Sequence, residues 1–170
     1  ITTRAVEAGP AGLVFMGTRR PIGAGEETLF LMTVNLRTGK IVRRVDSPDL
    51  GDPRFLVLEG NQGFVVSREP DKSISVREIS LEDFSIRWKT VIGDPAATLL
   101  PPVVAKDHLV VGTFQGNAEG KYAYGAALLA KTGGMVKNIK SDFVYDRPPG
   151  YGVANGGLIF SVDSKVEVHR

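Results

Sequence analysis

Leu29-Phe30-Leu31-Met32-Thr33-Val34-Asn35-Leu36-Arg37-Thr38-Gly39-Lys40-Ile41-Val42-Arg43-Arg44-Val45-Asp46 reads as a β-strand, a tight turn at Thr38-Gly39-Lys40 and a returning strand. The outgoing half is dense in apolar residues, and the return mixes branched apolar side chains with basic ones. The same grammar recurs. Ser73 to Ile92 reverses at Leu81-Glu82-Asp83-Phe84-Ser85, and Tyr124 to Lys140 reverses at Lys131-Thr132-Gly133-Gly134. A dense apolar strand stands before each hairpin, and a further copy follows the third: Leu13 to Thr18, Phe64 to Arg68, Leu109 to Phe114 and Leu158 to Val162. Their first residues lie 51, 45 and 49 positions apart. A period of this size, with four short strands per unit, is the pattern of propeller blades. One such sheet cannot bury both faces alone, and stacking against its neighbours buries them.

The fold class expected is therefore all-β, a β-propeller of about four four-stranded antiparallel blades. These fall at approximately 1–50, 51–94, 95–142 and 143–170, the last without its outer strand. The segment is expected to form part of a larger ring of about seven or eight blades. Either further chain or a second copy would complete it.

Composition agrees. Of 170 residues, 42% are hydrophobic and 24% charged, which suits a packed core and not a disordered chain. The 20 glycines and 10 prolines supply turn punctuation for many short strands. A net charge of +2 with interspersed signs argues against a nucleic-acid partner. No stretch approaches the roughly 18 apolar residues of a membrane span. The absence of cysteine excludes a disulfide scaffold, thiolate metal sites and a cysteine nucleophile, and leaves the compartment open.

Leu36-Arg37-Thr38-Gly39-Lys40, its weaker copy Ala130-Lys131-Thr132-Gly133-Gly134, and Trp88 early in an outer strand resemble the PQQ-like (quinoprotein-like) β-propeller repeat. Leu81-Glu82-Asp83-Phe84-Ser85 departs from that turn, and Arg43 and Lys137 stand near where the repeat places a tryptophan. The resemblance covers nearly the whole chain. It implies a scaffold role in the bacterial cell envelope, of the kind used in outer-membrane protein assembly. A quinone cofactor would need a full ring, a bound cation and usually a vicinal cysteine pair. The expectation is no cofactor and no metal.

Catalytic patterns fail. Gly116 to Tyr122 lacks phosphate-loop spacing, no Gly-x-Ser-x-Gly elbow occurs, and the two histidines, His108 and His169, are too few for a His-rich metal site. No residue is assigned a catalytic role. Binding candidates come from one rim. Asp52, Asp94 and Asp146 recur beside prolines in the connectors between blades, either as a ring of carboxylates or as simple turn formers. The loops from Arg19 to Thr28, Glu69 to Lys72 and Gln115 to Tyr122 add Arg19, Arg20, Arg68 and Lys121. Variable loops on a rigid frame suit recognition. The function expected is a non-catalytic scaffold that engages a protein partner through this rim. The alternatives are a portion of a quinoprotein-type oxidoreductase or hydrolase, and a ligand-sensing propeller.

Overall fold

The computed structural model describes residues 2–20, 27–46, 48–93, 97–105, 107–145, 150–154, 157–162 and 165–169. Most residues after 141 are described by backbone alone. Every regular element among the described residues is a strand, and no helix is long and apolar enough to cross a membrane. The chain divides into two compact units, Ile1–Val91 and Ile92–Arg170.

In the first unit, β1 (Thr2–Gly9), β2 (Gly12–Arg19), β3 (Thr28–Val34) and β4 (Ile41–Asp46) form an antiparallel meander. The next sheet repeats it with β5 (Asp52–Glu59), β6 (Gln62–Arg68), β7 (Ile74–Ser80) and β8 (Ile86–Gly93). The two sheets come closest along their first strands, β1 against β5. Val14, Met16 and Leu31 of the first sheet pack in one cluster with Leu56, Val65 and Ile79 of the second, closed by Leu50, Leu81 and Phe84. Each fully buried aliphatic side chain here contributes about 2 kcal/mol by leaving water. The outer strand β4 lies open instead. Ile41 and Val42 are more than half exposed beside Arg43 and Arg44, and charge on such an edge discourages pairing with other chains.

In the second unit, β11 (His108–Gly116), β12 (Tyr122–Ala130) and β13 (Met135–Tyr145) make the same meander. Its first strand is split. β9 (Thr98–Leu99) and β10 (Val103–Ala105) pair with β11 separately, because Pro101 and Pro102 have no amide hydrogen to give the ladder. Leu100 bridges the gap, donating to the Gly112 carbonyl at 2.9 Å. The third hairpin also runs five residues past Lys140, through a register shift opposite Ala123 to Gly125. A last sheet holds β14 (Gly150–Ala154), β15 (Gly157–Val162) and β16 (Lys165–His169).

The opening hairpin turns as its sequence demands. Gly39, at φ +67°, donates to the Asn35 carbonyl at 2.8 Å. The Asn35 side chain meanwhile accepts from the amides of Arg37 and Thr38, both at 3.0 Å. In the second sheet the glycine position is taken by Phe84, at φ +61°, with the same bond to Ser80 at 2.8 Å. A left-handed phenylalanine costs about 1–2 kcal/mol. Its ring is buried in the core between the sheets, which offsets that strain.

Candidate functional site: the charged rim of the first unit

The ends of β2, β4 and β6 and the starts of β1 and β5 lie at one end of the first unit. Asp52 opens β5 there. Arg54, two residues along the same strand, sits 2.5 Å from one Asp52 oxygen, and Arg4 of β1 bonds the other. The Arg4 guanidinium also reaches the Pro53 carbonyl at 3.4 Å. Asp52 is thus a bridge between two guanidiniums. Asp94 and Asp146 lie outside the described residues.

Arg19, at the end of β2, reaches over β3 to Asp46 at 3.4 Å. Arg44 donates to the same carboxylate through Nε at 2.9 Å and Nη2 at 2.8 Å, with its guanidinium 5.2 Å from the centre of the Phe30 ring. A cation over an aromatic face gains a further attraction. Arg20 stands 3.9 Å from Glu27 and is two-thirds exposed. Arg68 donates to the Lys72 carbonyl at 3.1 Å, tying down the β6–β7 loop. Lys121 belongs to the second unit. Its amide is bound at 2.9 Å by the Asn117 side chain, which organises that loop. The structure therefore brings Arg19, Arg20, Arg68 and Asp52 to one rim, and leaves Lys121 in a separate unit.

Sequence reasoning passed over the group beneath. Arg77, in the middle of β7, is fully buried. Its Nη1 donates to Glu69 Oε1 at 2.7 Å, to Ser75 Oγ at 2.6 Å and to the Leu50 carbonyl at 3.3 Å. Lys89 Nζ takes the other Glu69 oxygen at 2.9 Å, and the Ser75 hydroxyl donates to Oε1. The Glu69 side chain is 12% exposed. The Arg77 hydrogen bond, aided by Ser75 and Lys89, outweighs the desolvation that opposes it and lowers the Glu69 pKa to about 2. Ile74-Ser75-Val76-Arg77-Glu78-Ile79-Ser80 carried the signal, a charged pair in the middle of a strand that has no other charge. Arg4 and Arg54 were also missed, although Arg54 lies at the two-residue spacing that puts it on the Asp52 side of β5.

One pattern joins these groups. Asp46, Asp52 and Glu69 each hold two cations; the Asp46 and Asp52 triads carry one surplus positive charge each, whereas Arg77 beside Glu69 also faces Asp49 at 3.9 Å. Among the described residues, no three His, Cys, Asp or Glu side chains gather as metal ligands. With Asp52 committed to arginines and no cysteine in the chain, the residues described do not fit a quinone and its cation. The second unit holds a cleft of about 280 Å³ whose walls include Thr113, Phe114, Tyr124, Asn138 and Lys140.

No family model and no curated protein matches the sequence. Among solved structures, a europium-containing methanol dehydrogenase superposes with a TM-score of 0.53 at 15% identity, over 84% of this chain and 26% of that one. This chain thus spans about a quarter of that neighbour. The meandering four-stranded sheets and this likeness show an all-β fold of propeller blades, as the repeat length led one to expect.

Proposed function

We propose that this chain is a propeller segment of the PQQ-like repeat type that acts as a non-catalytic binding module, with a protein partner engaged at the charged rim. The observation behind this is the shared-carboxylate pattern. Arginines fixed by Asp46 and Asp52 keep exposed donors in a set geometry, and little side-chain freedom is then lost when a partner binds.

Site-specific photocrosslinking in extract of the source cell tests it. A photoreactive residue at Arg20 or Glu27 should give one discrete crosslinked protein. The same residue at Leu36 or Thr132, in turns at the opposite ends of their hairpins, should give none. Equal crosslinking from both ends, or none from the rim, refutes the reading. The likeness to a dehydrogenase favours a second reading, a portion of an oxidoreductase whose catalytic residues lie elsewhere. Dye-linked alcohol oxidation by the parent protein, lost on rim substitution, would decide for it.

A further inference from the structure

We infer that the partner segment received at this rim is an extended acidic peptide, whose carboxylates dock on the arginines of the Asp52 and Asp46 triads. The inference rests on the binding-module reading above and adds the chemistry of what is bound.

The donors left over point this way. The bonds to Asp52 and Pro53 use only Nη1 of Arg4 and Nη2 of Arg54. The bond to Asp46 uses only Nη2 of Arg19. A guanidinium carries five N–H donors in a fork that matches a carboxylate, so among the described residues Arg4 and Arg54 keep donors to spare, and Arg19, whose Nε is buried, keeps its Nη1. The side chains of Arg4, Arg19 and Arg54 are 30%, 42% and 49% exposed, and Arg20 beside them is 67% exposed. Arg77 is fully buried and belongs to the support, not to the docking surface.

Spacing and sign choose among anions. From β1, which carries Arg4, to β4, which carries Arg44, is three inter-strand steps, about 14 Å. A single phosphate cannot touch both triads. An extended peptide covers the distance in about four residues at ~3.4 Å each. A nucleic-acid backbone presents unbroken negative charge, and Glu27, Asp46 and Asp52 set among the arginines would repel it. Separate acidic side chains can meet the arginines and skirt those carboxylates.

The test is fluorescence anisotropy on the whole chain with a labelled Glu-Ser-Ser-Ser-Glu peptide, whose carboxylates are set apart by neutral residues. Binding should weaken at least tenfold between 20 and 300 mM salt, estimates that follow from screening of exposed charges at about a Debye length. Arg54→Glu with Arg19→Glu should weaken it at least ~10-fold, as expected when docking arginines are reversed. Arg37→Glu, the charge change of one rim substitution placed in the turn at the far end of β3, should change it less than ~2-fold. Arg20→Glu serves as a second rim variant, since among the described residues it has one ion pair, the long exposed one to Glu27, and such surface pairs contribute about 0–1 kcal/mol to folding. Equal losses in Arg37→Glu and the rim variants would mean non-specific attraction and overturn the inference. Tighter, rim-dependent binding of a duplex DNA of equal charge would overturn it in favour of nucleic acid. If this peptide fails to bind while rim photocrosslinks persist, the inference falls and the binding-module reading stands. If the crosslinks also vanish, both fall.

Discussion

Glu69→Gln should destabilise the first unit by about 3 kcal/mol near pH 7 and by almost nothing near pH 2. The Glu69 pKa lies at about 2, against 4.5 without its surroundings. Each unit of difference is worth about 1.4 kcal/mol, giving roughly 3 kcal/mol of stabilisation from ionised Glu69. At 12% exposure its side chain is little screened by solvent. Because the folded pKa is depressed, this stability is complete above the unfolded value and is lost as pH falls through the folded one. At pH 3 roughly 2 kcal/mol of it is already gone by the same linkage. The assay is urea unfolding followed by Trp88, the chain's one tryptophan, which packs 6.1 Å from Phe64 and neighbours Lys89. With a urea slope of about 2 kcal/mol per molar, the variant's midpoint at pH 7 should fall by about 1.5 M. Subtracting variant from wild type removes other acid-titrating groups such as Asp83, whose pKa is lowered to about 2 by the Ser85 hydroxyl. Equal midpoints at pH 7, or a gap that stays constant from pH 6 to pH 2, would refute the role given to the buried pair.

Four substitutions at three positions of positive φ give further outcomes, each read by the same unfolding curve. Phe84→Ala should cost about 3–5 kcal/mol, since it empties a buried ring position and keeps a left-handed backbone. Phe84→Gly should cost about 1 kcal/mol less, because glycine accepts that backbone, and the reverse order would dismiss the strain. Lys72→Gly should stabilise by about 0.5–1 kcal/mol, since Lys72 has φ +69° in the exposed β6–β7 turn, whose hydrogen bonds to Lys72 use its backbone. Gly12→Ala should cost at least ~2 kcal/mol, because a β-carbon there would fall on the Val34 carbonyl and φ is +138°.

The blades were legible because their signal is local and repeated. Alternation, glycine turns and a near-constant period survive in every copy, and one hairpin such as Leu29 to Asp46 carries them all. The break in the first strand of the third sheet is written in Pro101-Pro102, although the residues flanking the pair are good strand formers. The rim was legible only in part. Arg19, Arg20 and Arg68 stand in or beside loops, where charge draws notice. Arg4 matters through Asp52, 48 residues away, a partnership that exists only once β1 lies beside β5. Arg77 was hidden for the opposite reason. An arginine inside a strand suggests a solvent-facing position, and its burial depends on Glu69 folding back from the loop to neutralise it.

These placements separate support from contact, and the separation can be measured. Arg77 is buried and the Glu69 side chain is only 12% exposed, so the cost of disturbing them falls on stability. Arg54 is 49% exposed in a surface ion pair, and such pairs contribute about 0–1 kcal/mol to folding. Arg54→Glu places a carboxylate beside Asp52 and leaves Arg4 as its remaining partner, so its effect on unfolding should stay near 1 kcal/mol while its effect on an acidic ligand is large. Glu69→Gln should do the reverse, weakening the fold while the arginines of the Asp52 and Asp46 triads keep their own carboxylates. If both variants moved stability and ligand affinity in the same proportion, the rim would be one cooperative unit with the core, and the arginines would not be a contact surface held by an independent frame.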